Sequence, residues 1–157
     1  PVFRRQGGGR ILNMSAVAGF QNELGFSVYG GAKAALEAAS EAVAGEAAPF
    51  GVRVTVVVPG PFRTDFIGRS LDRVATMPEY AGTVGKFARF LESIDGKQPG
   101  DPSKAAAAIL RVAADPNPPF RLVRGGYAHD KSEKELAAMR AELDAWAGVG
   151  RPTDFTP

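Results

Sequence analysis

Gly51-Val52-Arg53-Val54-Thr55-Val56-Val57-Val58-Pro59-Gly60-Pro61 is the stretch whose reading decides the fold. From Val52 to Val58 nearly every residue is β-branched, and the run is apolar at both odd and even positions. A strand apolar on both faces fits a parallel sheet covered on both sides. Pro59-Gly60-Pro61 breaks it sharply. Before it, residues 28–48 predict a helix rich in Ala and Glu, with Ala32, Leu36, Ala39 and Val43 at helical spacing. Pro49-Phe50-Gly51 ends that helix. Earlier still, Arg10–Ser15 reads as a strand after a helix tail and the glycine turn Gly7-Gly8-Gly9, and residues 17–27 read as a loop.

Downstream, residues 62–98 are mixed, with Phe66, Leu71, Tyr80, Phe87, Phe90 and Leu91 able to cover a site. Asp101-Pro102-Ser103-Lys104 has the form of a helix start, with Asp101 as N-cap and Pro102 in the first turn. Phe120–Val123 reads as a short strand. Residues 132–147 read as an amphipathic helix with Leu136, Met139, Leu143 and Trp146 on one side. Strand, helix, strand, helix, strand in that order argues an α/β fold with a parallel sheet.

Composition narrows the functions. The chain has 157 residues, of which 45% are hydrophobic, enough for one domain with a core. It has no cysteine and a single histidine, His129, which leaves neither disulfides nor thiolate or His-cluster metal sites. The net charge of +2 comes from scattered basic residues, which argues against nucleic-acid binding. No apolar run is long enough for a membrane span, and a cytoplasmic location is the expectation.

The chemistry lies in Tyr29-Gly30-Gly31-Ala32-Lys33. Residues i and i+4 share one helix face, so a phenol and an ammonium can serve one site. A tyrosine of ordinary pKa, about 10, is a poor acid or base at neutral pH, and a fixed cation nearby favours the phenolate. The pair is therefore a candidate proton-transfer unit.

Three segments in order carry a resemblance. They are the strand ending in Asn13-Met14-Ser15, the Tyr29–Lys33 helix, and the strand leading into Pro59-Gly60-Pro61-Phe62-Arg63-Thr64. Together they resemble the short-chain dehydrogenase/reductase family, most closely over residues 8–66. The resemblance implies a Rossmann-like doubly wound parallel sheet and an oxidoreductase using NADP or NAD to interconvert a small-molecule alcohol and a carbonyl. It implies Tyr29 as general acid/base and Lys33 as its activator and a ligand of the nicotinamide ribose. Pro59, Gly60, Phe62 and Thr64 would lie along the nicotinamide. A homodimer or homotetramer formed through the helix at 28–48 is also implied, with Ala34, Ala35, Ala38, Ala42 and Gly45 permitting close packing.

Two departures accompany the resemblance. The family carries a catalytic serine thirteen positions before its tyrosine, where this chain has Ala16. Ser15 fills the preceding position, either as a functional hydroxyl in a shifted register or as a structural serine beside the site. No glycine-rich phosphate loop follows a first strand. The expectation is that residues 1–157 form the C-terminal part of a single Rossmann-fold domain, with the N-terminal nucleotide-binding half absent. A second reading stays open, a catalytically weak or inactive remnant acting as a binding or assembly module.

Overall fold

The computed structural model describes residues 1–72 and 74–155. Val52–Pro59 (β2) is the middle strand of a three-stranded sheet, paired in parallel with Gly9–Met14 (β1) on one side and Arg121–Arg124 (β3) on the other. This central place is why its sequence is apolar on both faces. Val54, Thr55, Val56, Val57 and Val58 are all buried, and only Arg53 reaches solvent. The register sets Asn13 beside Val56, and Val56 beside Arg121. Val56 and Val58 pack with Val17 and Ala128 as the core, with Phe120 and Val123 against it.

Among the described residues six α-helices accompany the strands: Val2–Gln6 (α1), Val17–Phe20 (α2), Ser27–Ala47 (α3), Val84–Ile94 (α4), Pro102–Ala114 (α5) and Gly126–Gly150 (α6). The architecture is α/β, an incomplete Rossmann-like fold. α1 ends at Gly7, whose φ of 71° is the left-handed conformation that closes a helix at low cost in glycine. The Asp101 carboxylate accepts from the backbone N–H groups of Ser103 and Lys104, which caps α5 as its sequence predicts.

Three local expectations differ from the structure. Residues 17–27 are not all loop, since α2 forms there and lies against α3. Gly19 allows that contact, because a Cβ at this position would stand 2.9 Å from the Lys33 Cβ. The mixed stretch 62–98 contains α4. The last helix starts at Gly126 rather than Ser132, and its first turns supply its buried residues, Ala128, Lys131 and Ser132. Leu136, Met139, Leu143 and Trp146, the apolar side of the expected amphipathic helix, are all more than half exposed. α6 meets the rest of the fold through its first turns, which carry its buried residues, against α2 and β3.

Val56 is fully buried at the centre of the core. Val56→Ala is expected to lower unfolding free energy by about 2 kcal/mol in urea titrations, the lost transfer energy of two methyl-sized groups plus a cavity.

Candidate active site

α3 carries Tyr29 and Lys33 in its first two turns, as the i, i+4 spacing predicts. The Lys33 Nζ lies 5.8 Å from the centre of the Tyr29 ring and donates a 2.8 Å hydrogen bond to the Met14 carbonyl at the end of β1. That bond ties the ammonium to the sheet and leaves two of its three N–H donors without a partner among the described residues. The Tyr29 ring is half-buried. The Phe26 ring meets it edge-on at 5.2 Å, and Phe66 sits tilted against it at 5.5 Å. Burial pushes the phenol above its ordinary pKa. The Lys33 cation is expected to lower that value, whereas the influence that shows in this structure is the loss of hydration.

Ser15 follows β1, but its hydroxyl turns into α3. It is 2% exposed and donates to the Glu37 carboxylate at 2.8 Å. Two residues earlier on the same face, the Asn13 amide donates to the Ser40 hydroxyl at 2.8 Å. Glu37, itself buried, accepts from the Arg121 guanidinium at 3.0 Å, and Arg121 also reaches Glu41. Lys33, Glu37 and Ser40 thus form one polar stripe along α3, seated on the last residues of β1. Glu37, Ser40 and Arg121 escape a sequence reading centred on Tyr29. Their signal is the spacing of 33, 37 and 40, which continues the face that Lys33 begins. Ala16 is also buried, at the start of α2.

Pro59 ends β2, and Gly60, Phe62 and Thr64 follow it. Gly60 donates its N–H to the Arg124 carbonyl at 3.0 Å. Its α-carbon lies so close to α6 that a Cβ would stand 3.3 Å from Ala128. Phe62 bridges to Gly100, and the Arg124 guanidinium lies 5.1 Å above its ring. Thr64 opens onto a cleft of about 460 Å³ that is also lined by Arg63, Asp65, Arg69 and Asp95. Phe66, two residues on, is the ring against Tyr29, so the segment after β2 and the start of α3 meet through it. Among the described residues, no group of His, Asp or Glu could hold a metal ion. No helix among them is long and apolar enough to cross a membrane.

Residues 1–74 match the family described as short chain dehydrogenase. Among curated proteins, the oxidoreductase BOA17 of Botryotinia fuckeliana is 35% identical over 146 residues, covering 93% of this chain and 53% of its own length. The 3-ketodihydrosphingosine reductase of Bacteroides thetaiotaomicron is 35% identical over 141 residues, 84% of this chain and 51% of its own. Among solved structures, a short-chain dehydrogenase from Streptomyces avermitilis superposes with a TM-score of 0.89 at 43% identity, covering 99% of this chain and 56% of that one. The chain spans about half the length of the curated relatives it matches. Its parallel sheet and these likenesses define an α/β protein of a family of oxidoreductases. The chain belongs to the short-chain dehydrogenase/reductase family.

Tyr127, on the first turn of α6, donates to the Glu23 carboxylate at 2.9 Å. Burial, and then this acidic neighbour, push its phenol up to about 12. A raised pKa in the fold is stabilising while the unfolded phenol, near 10, keeps its proton. That contribution is complete below pH 10 and is lost as pH climbs toward 12. Tyr127→Phe is expected to flatten the fall of unfolding free energy between these pH values, and chemical denaturation across that range checks it.

Proposed function

We propose that this chain carries the catalytic residues of an NAD(P)-dependent oxidoreductase that interconverts an alcohol and a carbonyl on a small molecule. The observation that carries this reading is the pairing of Tyr29 with Lys33 on one face of α3, with the ammonium hydrogen-bonded to Met14. NADP or NAD supplies or accepts the hydride. A short-chain dehydrogenase from Sphingobium yanoikuyae, 25% identical to this chain at a TM-score of 0.58, was solved in complex with NADPH. The donors present suit such a cofactor. Lys33 keeps N–H groups to give to a ribose hydroxyl. Gly60 turns the chain out of β2 close against α6, and Thr64 and the backbone of Phe62 beyond it offer polar groups suited to a carboxamide.

Tyr29 gives its proton to the carbonyl oxygen in reduction and takes the hydroxyl proton in oxidation. Burial raises the pKa of the phenol, so its role as acid and base relies on the Lys33 cation acting against that rise. Ser15 acts through Glu37, holding the end of β1 to α3, so a polarising hydroxyl at position 16 is missing. The protein works as a homodimer or homotetramer in the cytoplasm, and the exposed small residues Ala34, Ala38 and Ala42 of α3 support close helix pairing.

The test is reduction of a panel of aldehydes and ketones with NADPH or NADH, using the longest natural chain that contains residues 1–157. Tyr29→Phe is expected to reduce turnover by about 10²–10⁴ with little change in cofactor affinity, the usual contribution of a positioned acid or base. Turnover unchanged by that substitution overturns the reading. Ala16→Ser is expected to raise turnover, by up to about 10²–10³ if the hydroxyl reaches the substrate oxygen.

A further inference from the structure

We propose that Glu23 is a positioning residue through which α6 sets the placement of Tyr29. The inference rests on the role of Tyr29 given above and adds a distant element that controls it. Residues 21–26 join α2 to α3 and lead directly to Tyr29. Two side chains of this connection bind α6. Glu23 accepts from the Tyr127 hydroxyl and the Lys131 ammonium on one oxygen. Gln21 donates its amide to Glu135 at 2.6 Å. Tyr127, Lys131 and Glu135 are spaced i, i+4, i+8, so three successive turns of α6 present one stripe to the connection. The Lys131 side chain is only 10% exposed. A cation that well buried is costly without its partner, which makes the contact a strong tether rather than a surface pair.

The other end of the connection fits against the catalytic turn. The Asn22 side chain lies so close to Gly30 that a Cβ there would stand 2.2 Å from its Oδ1. Only glycine beside Tyr29 admits this seating. The same Asn22 oxygen accepts from the Glu23 backbone N–H at 2.8 Å, so the residue seated on Gly30 and the residue tethered to α6 move as one unit. Phe26 completes the link with its edge against the Tyr29 ring. Displacing Glu23 from Lys131 and Tyr127 therefore displaces Asn22 from Gly30 and Phe26 from Tyr29. The segment after β3 acts on the acid/base without touching it.

The experiment follows the Tyr29 ring directly and needs no substrate. In the longest natural chain that contains residues 1–157, tyrosines are labelled with carbon-13 and the Tyr29 resonance is assigned with Tyr29→Phe. Amide hydrogen exchange is measured in parallel. Glu23→Gln is expected to shift the Tyr29 resonance and to speed exchange over residues 20–30 by about 10-fold or more, while residues 52–59 of the central strand keep their protection. The charge-reversed pair Glu23→Lys with Lys131→Glu is expected to restore both signals. An unmoved Tyr29 resonance, exchange accelerated equally in the central strand, or failure of the reversed pair overturns the proposal. If Glu23→Gln does not fold, Lys131→Met takes its place with the same expected results. Collapse of both overturns the proposal too, because general support of the fold is then the role of the pair. The ring signal is independent of turnover, so its outcome is distinct from that of the Tyr29→Phe assay.

Discussion

The polar seam between α3 and the end of β1 is the contact on which the site depends. Lys33 holds the Met14 carbonyl, Glu37 holds the Ser15 hydroxyl, and Ser40 accepts from Asn13. These three side chains lie on one stripe of the helix and meet three consecutive residues of the chain. Apolar packing alone would let α3 slide along the sheet at little cost, since valine surfaces are forgiving of small shifts. Directional hydrogen bonds at three points do not allow it. Arg121 extends the seam across the sheet to β3 through Glu37. The register of α3 is thereby fixed, and with it the height at which Tyr29 stands beside the ends of the strands.

That arrangement sets two opposed effects on the Tyr29 phenol. Phe26 and Phe66 remove water from the ring and favour the neutral form. Lys33 stands close enough to favour the anion, but its ammonium is shared with the Met14 carbonyl. Burial is the influence that shows, and it raises the pKa of the phenol. In the proposed reduction this phenol would give its proton to the alkoxide that develops when hydride reaches a carbonyl carbon. The same seam explains the position of Ser15. Its hydroxyl is committed to a buried carboxylate, and releasing it would leave Glu37 short of a donor in a dry environment.

The parts of the fold legible in sequence were those with strong local chemistry. Val52–Val58 reads as a buried strand because its apolar character ignores the two-residue period. α3 reads from its alanines, and the start of α5 from the Asp101-Pro102 cap. Tyr29 and Lys33 announce themselves by a four-residue spacing. What escaped depends on contacts between distant residues. α2 is four residues long and exists because it packs on α3 where Gly19 leaves room. α6 begins early because Tyr127 and Lys131 find Glu23, more than a hundred residues away in the chain. The apolar side of α6 was legible as a helical pattern, but a pattern does not say what lies opposite it. Here that side is exposed along the distal half of α6. The Ser15 contact with Glu37 was hidden for the same reason, since the two residues meet only when α3 lies down on β1.

The central claim is that Lys33 serves both the tyrosine and the cofactor. Its most direct test is fluorescence titration with NADPH and NADH of the longest natural chain containing residues 1–157, compared with its Lys33→Met variant. The account predicts saturable binding by the natural chain and a dissociation constant raised about 10-fold or more in the variant, as expected when a hydrogen-bonding cation is removed from a ligand. Equal binding by the two proteins, or none by the natural chain, would contradict it.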